Sequence, residues 1–302
     1  HYQGLYLQDK MFSLCTFCDY LSSLLLIFMQ SNLIYAELLK KVKNYSDNEL
    51  KNISLKYLYL KFNLSSSDLL INKTVPWNKK TQEEFKIDIK KLTNKIPVQH
   101  ITGSEFFYDR VFHVSNKTLI PRPETEELVD VIIKSEKSNH KKNILDIGTG
   151  SGCIAVTLSN HLTSNVFGID VSKAAIDVAN KNNTLTSNKV SFITSKIENY
   201  IPEEPFDIIV SNPPYIPKSD EDKVDKNVLI HEPHRALFVD SDPIYFYKII
   251  LGFSKKHLKE NGSIYFEVNQ NYIGQIKTLL MGYDFDIIKD LYGHKRFVVI
   301  KT

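Results

Sequence analysis

From Ser31 to Ile96 apolar residues recur at helical spacing. Ile34, Leu38 and Val42 stand at i, i+4 and i+8, the spacing that lines one face of an α-helix. Three hydroxyl–acid pairs set three residues apart predict helix starts: Ser46 with Glu49, Ser65 with Asp68, and Thr81 with Glu84. The last opens a helix whose buried face would be Phe85, Ile89, Leu92 and Ile96, with Pro97 as its stop. No glycine occurs between Gly4 and Gly103. The pattern predicts a small all-α domain over residues 29–97 whose apolar rows form a core.

After it, Gly103 and the polar pair Asp109-Arg110 between aromatic runs predict a β-hairpin, placed in a linker over 98–120. From Asn143 the period changes. Ile144–Ile147, Val166–Asp170, Val190–Ile193, Phe206–Val210 and Ser263–Val268 read as strands. Helices are expected at Cys153–Leu162, Ser172–Asn183, near Ile244–Leu258 and at Tyr272–Met281. Alternation of this kind predicts a parallel sheet covered on both faces, an α/β domain over 121–302. Phe285–Ile288 and Phe297–Ile300 are joined too tightly for a parallel crossover, so this last pair should be antiparallel.

Composition changes this picture little. In 302 residues, 42% hydrophobic and 24% charged, there is enough apolar surface for a core. The net charge of +3 is too weak to indicate a nucleic-acid surface. All but four of the 38 basic residues are lysine; the arginines are Arg110, Arg122, Arg235 and Arg296. Three cysteines exclude a disulfide-dense secreted scaffold and make a reducing, cytoplasmic setting the expectation. Cys15 and Cys18 form a lone C-x-x-C with no second pair, so no metal site is expected. The chain starts at His1, and Met29 directly precedes the helical pattern. Residues 1–28 are therefore read as an extra segment outside the fold. The apolar stretch ending at Met29 is too short to span a bilayer, which needs ~20 residues.

The chemistry is carried by two loops at strand ends. Asp146-Ile-Gly148-Thr149-Gly150-Ser151-Gly152 follows a strand and opens a helix, as a nucleotide-type site requires. Asp170 ends the next strand, where a carboxylate accepts both hydroxyls of a ribose. The G-x-G-x-G spacing differs from the dinucleotide fingerprint, and no Lys-Ser/Thr pair makes it a P-loop; an adenosine ligand without a pyrophosphate suits it better. Asp146 could sit near such a ligand or could hold the loop. The second loop is Asn212-Pro213-Pro214-Tyr215. Prolines fix φ and lack an N–H, which leaves a rigid backbone with accepting carbonyls. The Asn212 side-chain oxygen and the Pro213 carbonyl can accept both hydrogens of one NH2 group, and Tyr215 offers a flat face. An amide or exocyclic amine nitrogen is a poor nucleophile, and two acceptors orient its hydrogens and stabilise the positive charge that develops on it.

Together these segments resemble class I S-adenosylmethionine-dependent methyltransferases of the Asn-Pro-Pro-Tyr type. Within that group the chain resembles the release-factor glutamine N5-methyltransferases. The segments that carry this are Pro97–Gly103, Leu119–Glu126 (Leu-Ile-Pro-Arg-Pro-Glu-Thr-Glu), Asp146–Ala155, Ser211–Pro217, His231–Leu237 and Gly293–Phe297. The resemblance implies a Rossmann-like seven-stranded sheet with an antiparallel C-terminal strand, after a helical domain that helps to bind the substrate. It implies S-adenosylmethionine as cofactor, at Gly148, Thr149, Gly150, Ser151, Gly152, Asp170, Ile197 and Asn212. It implies catalytic roles for Asn212, Pro213 and Tyr215, with Asn212, Pro213, Pro214 and Tyr215 clamping the substrate, the glutamine of the Gly-Gly-Gln motif in peptide-chain release factors. Ser195-Lys196-Ile197 stands where many such enzymes carry an acid near the adenine amine. Lys196 cannot accept a hydrogen bond, so backbone groups or Ile197 would serve there. The rival reading is methylation of an adenine N6 or cytosine N4 in nucleic acid, which needs a flipped base and an Arg-rich face. Four arginines count against it. A cytoplasmic monomer that binds neither nucleic acid nor membrane is expected.

Overall fold

The computed structural model describes residues 28–138, 140–184 and 190–302. The readings made on Cys15, Cys18 and the rest of residues 1–27 lie outside them. The chain divides into two compact units between Thr102 and Gly103.

The first unit is helical, as its pattern predicts, and adds a short ribbon that the pattern does not show. Strand β1 (Phe28–Gln30) pairs antiparallel with β2 (Thr74–Pro76). Helices span Ser31–Lys41, Asp47–Phe62, Ser66–Leu70, Lys79–Thr93 and Val98–Thr102. Their core contains Ile34, Leu38, Val42, Tyr57, Leu58, Trp77, Phe85, Ile89 and Leu92. Ser46 and Ser65 open helices as expected: each gives its backbone N–H and its hydroxyl to the acid three residues on. The third expected start is corrected. Asn78, not Thr81, caps the helix, because its carboxamide oxygen accepts both the Thr81 N–H at 2.9 Å and the Thr81 hydroxyl at 3.1 Å. Glu84 pairs instead with Lys61, 2.9 Å away. This helix also stops four residues before Pro97: Lys95 has a φ of 59°. Ile96 therefore lies past its end.

The second unit begins with the hairpin β3 (Ser104–Phe107) and β4 (Arg110–His113), narrower than the 98–120 linker because Val98–Thr102 is helical. Helix Pro123–Glu136 follows. The sheet comprises β5 (Lys142–Ile147), β6 (Ser164–Asp170), β7 (Ser191–Thr194), β8 (Phe206–Ser211) and three later strands. Between them, β9 (Ile216–Pro217) and β10 (Phe238–Val239) form a small parallel pair that folds the chain after β8 back on itself. Strands β11 (Leu258–Glu267), β12 (Asp284–Lys289) and β13 (Lys295–Lys301) complete the sheet, in the order β12-β13-β11-β8-β5-β6-β7. Only β13 runs against its neighbours, as the tight connection requires.

Successive residues of the central strands point to opposite faces, and both faces are buried. Ile144, Ile208 and Val210 join the core under helices Pro123–Glu136 and Cys153–His161. Leu145 and Ile209 join the core on the other face, with helix Tyr245–His257. That arrangement leaves only the strand ends free for chemistry.

Candidate functional site

β5 and β8 lie side by side at the centre of the sheet, with Ile147 opposite Ser211. The Ser211 hydroxyl donates to the Ile147 carbonyl at 2.7 Å. The two chemistry-bearing loops, Gly148–Gly152 and Asn212–Tyr215, therefore leave from adjacent strand ends. In open parallel sheets such a pair, where connections depart in opposite directions, forms a ligand crevice.

The glycine loop needs its glycines. Gly148, Gly150 and Gly152 have φ of 74°, 54° and 79°, a region that residues with a Cβ rarely enter. A Cβ on Gly152 would also lie 2.8 Å from the Phe192 ring, and one on Gly168 of β6 would lie 2.6 Å from the same ring. Phe192 fills the space that the two glycines leave. Thr149 and Ser151 are buried, so backbone and glycines, not their side chains, face the crevice. The Thr149 hydroxyl donates to Asp146 Oδ2 at 2.6 Å. Asp146 has no exposed surface, and burial pushes its carboxyl up to about 7. It holds the loop from beneath. Asn182 anchors the loop from the other side: its amide donates to the Ser151 carbonyl at 2.8 Å and pairs with both backbone groups of His113.

Asp170 ends β6 beside this loop. Its Oδ2 accepts the Gly150 N–H at 3.0 Å and its Oδ1 accepts the Ser172 N–H at 2.8 Å. Burial holds the carboxyl above its ordinary value. Each carboxylate oxygen has two acceptor sites, so one remains on each for a vicinal diol. The loop and Asp170 thus fit the ribose of an adenosyl cofactor. Ile197 lies in a short turn after β7, its side chain within the core against β8 and the helix Tyr245–His257. The Ile197 side chain is thus withdrawn from this edge, where Lys196 and Glu198 are exposed.

Asn212, Pro213, Pro214 and Tyr215 line one cavity of about 190 Å³, together with Leu119 and Leu237. The Asn212 amide nitrogen donates to Thr125 Oγ1 at 3.2 Å, and the Thr125 hydroxyl donates to Glu267 Oε2 at 2.7 Å. Glu267, the last residue of β11, is buried, and that burial pushes its carboxyl up to about 7. The cavity wall is braced by Glu232, which receives the Ile120 N–H at 3.0 Å and the Arg122 guanidinium at 2.6 Å. Arg122 and Glu232 thus tie the segment before helix Pro123–Glu136 to the loop after β8. Burial raises the Tyr215 hydroxyl above its ordinary value, keeping it neutral. Among the described residues no His, Cys, Asp and Glu group could hold a metal ion. The His234 ring nitrogen sits instead 2.9 Å from the Leu229 carbonyl.

The structure thus gathers the predicted residues into two linked subsites, the glycine loop with Asp170 and the Asn212–Tyr215 wall. Thr125, Glu267 and Asn182 are given no role by the sequence, whereas Glu232-Pro233 reads there as shaping a loop over the site. One signal existed for Glu267: an acid directly after the apolar run Ile264-Tyr265-Phe266.

A family model for the methyltransferase small domain matches residues 125–242. A release factor glutamine methyltransferase of Flavobacterium psychrophilum is 45% identical over 219 residues, covering 69% of this chain and 76% of the relative. That of Bacteroides thetaiotaomicron is 37% identical, covering 84% of this chain and 93% of the relative. That of Streptococcus pneumoniae is 36% identical, covering 83% and 91%.

Proposed function

Because the chain belongs to the release factor glutamine methyltransferase family, we propose that it methylates the side-chain amide nitrogen, N5, of the glutamine in the Gly-Gly-Gln motif of a peptide-chain release factor. S-adenosylmethionine is the cofactor and supplies the methyl group when bound. Gly148–Gly152 lie along it, Asp170 takes its ribose hydroxyls, and the backbone beside Ile197 faces its adenine. Asn212 Oδ1 and the Pro213 carbonyl accept the two hydrogens of the glutamine amide, which orients the nitrogen and stabilises charge developing on it. Pro214 and Tyr215 form the apolar wall against which the planar amide lies. The tyrosine, held neutral, takes no proton.

One observation carries this reading: the Asn212 carboxamide is anchored through its nitrogen, so its oxygen remains for a substrate NH2 in the cavity with Pro213 and Tyr215. The helical unit before Thr102 is assigned to recognition of the release factor. The enzyme is taken to act as a cytoplasmic monomer without binding nucleic acid; no described helix is long and apolar enough to cross a membrane.

The test offers methyl-labelled S-adenosylmethionine with either a release factor or DNA. Label on the release factor is expected; label on DNA alone would overturn the assignment. Asn212→Ala should abolish transfer while calorimetry shows cofactor binding within about threefold of the parent, since the loss falls on substrate orientation.

A further inference from the structure

We propose that Glu267 and Thr125 are positioning residues, which hold the Asn212 carboxamide with its oxygen turned to the substrate through a hydrogen-bond chain of fixed direction. This rests on the reading of Asn212 as an acceptor for the substrate amide.

The chain spans three elements. Glu267 ends β11, whose Phe266 lies opposite Ser211 of β8, so Glu267 and Asn212 leave adjacent strands at the same height. Thr125 stands between them in the first turn of helix Pro123–Glu136. An ionised carboxylate has no hydrogen to give. Thr125 must therefore donate to Glu267, and having one hydrogen only, it must accept from Asn212. The Asn212 nitrogen is drawn to Thr125, and the oxygen, on the opposite branch of the planar carboxamide, is turned away. Oxygen and nitrogen of a carboxamide are nearly equal in size, so packing alone does not choose between the two orientations. A turned-over amide would present its NH2 to the substrate NH2, donor against donor.

Protonation of Glu267 reverses the chain. A neutral carboxyl can donate to Thr125, whose hydroxyl then donates onward to Asn212 Oδ1 and turns the amide over. The charged groups facing Glu267 are Arg296 on β13, with Arg122 and Glu124 at the start of helix Pro123–Glu136. The hydroxyls of Tyr215 and Tyr247 face it as well, and the Tyr247 hydroxyl donates to the Glu267 carbonyl at 2.9 Å. Burial, the largest influence, and Glu124 oppose the carboxylate, while the Thr125 hydrogen bond and the two arginines favour it. The resulting balance, about 7, puts the reversal near neutral pH.

The experiment measures kcat for release-factor methylation against pH. In the parent enzyme kcat should rise as pH increases through about 7, as the carboxylate forms. Thr125→Val should lower kcat by about 10- to 100-fold, leave the KM for S-adenosylmethionine within about twofold, and lose the acid limb. Thr125→Ser, which keeps the hydroxyl, should restore the parent profile. Glu267→Gln, which cannot ionise, should remove the acid limb. Parent kcat and pH profile in Thr125→Val overturn the proposal. A second readout needs no substrate. In 15N-labelled enzyme the Asn212 side-chain signals should titrate between about pH 5 and 9, and stay still in Glu267→Gln. Signals that do not move in the parent overturn the proposal. A parent enzyme whose Asn212 titrates but which leaves the release factor unlabelled upholds the chain and overturns the substrate assignment instead.

Discussion

Asp146 is a buried carboxyl beneath the glycine loop, which it holds through Thr149. Among the described residues its Oδ1 has no hydrogen-bond partner. Burial raises its carboxyl from 3.8 to about 7. Between those values the folded protein holds a proton that the unfolded chain has released, so this group makes stability fall as pH rises towards 7, and level off above it. Asp146→Asn should reduce the loss of stability between about pH 5 and 8, by about 2 to 3 kcal/mol at most. Urea unfolding of parent and variant at the two pH values checks this; an identical pH dependence in both would refute the buried, protonated state. Residue types were legible here where backbone chemistry demands them: Gly148 to Gly152 for positive φ, the prolines for rigidity, Asp170 at a strand end. Thr125 and Glu267 were not, because their partners lie 87 and 142 residues away.

Elements were read well wherever local periodicity and capping govern them, and less well where two local signals compete. Helix Lys79–Thr93 is such a case. Thr81 and Glu84 match a capping box, but Asn78 stands three residues earlier in extended backbone, and its side chain takes the free N–H of Thr81. Asn is among the best N-cap residues and wins. Asn78→Ala should destabilise the helical unit by about 1 kcal/mol, and Thr81→Ala by about 0.5 kcal/mol or less. Denaturation followed by the fluorescence of the adjacent Trp77, the single tryptophan and a buried one, distinguishes the two; equal losses would restore Thr81 as the start. The ribbon of β1 and β2 escaped the pattern because three-residue strands carry too little alternation to register.

In the molecule as a whole, each unit has its own core, and every residue assigned to the cofactor lies between Gly148 and Asn212 of the second unit. Leu58, fully buried in the first, offers a test of the proposed role of the helical unit in substrate recognition. Leu58→Ala should destabilise the helical unit by about 2 to 5 kcal/mol and lower methylation of the release factor, with calorimetric affinity for S-adenosylmethionine unchanged. A weakened cofactor affinity would contradict that division of labour. The sequence by itself determined the two-part order of the chain, the alternation of strands and helices, and the loops that carry the chemistry. Those features rest on period, caps and the backbone limits of glycine and proline, all local properties. Only the tertiary structure decided that β13 lies between β11 and β12, that Glu232 grips Arg122, and that Glu267 reaches Asn212 through Thr125. Such partners are set by strand order and register across the sheet, and by the low dielectric of the interior that makes an unpartnered polar group costly. Neither is written in any local stretch of the chain.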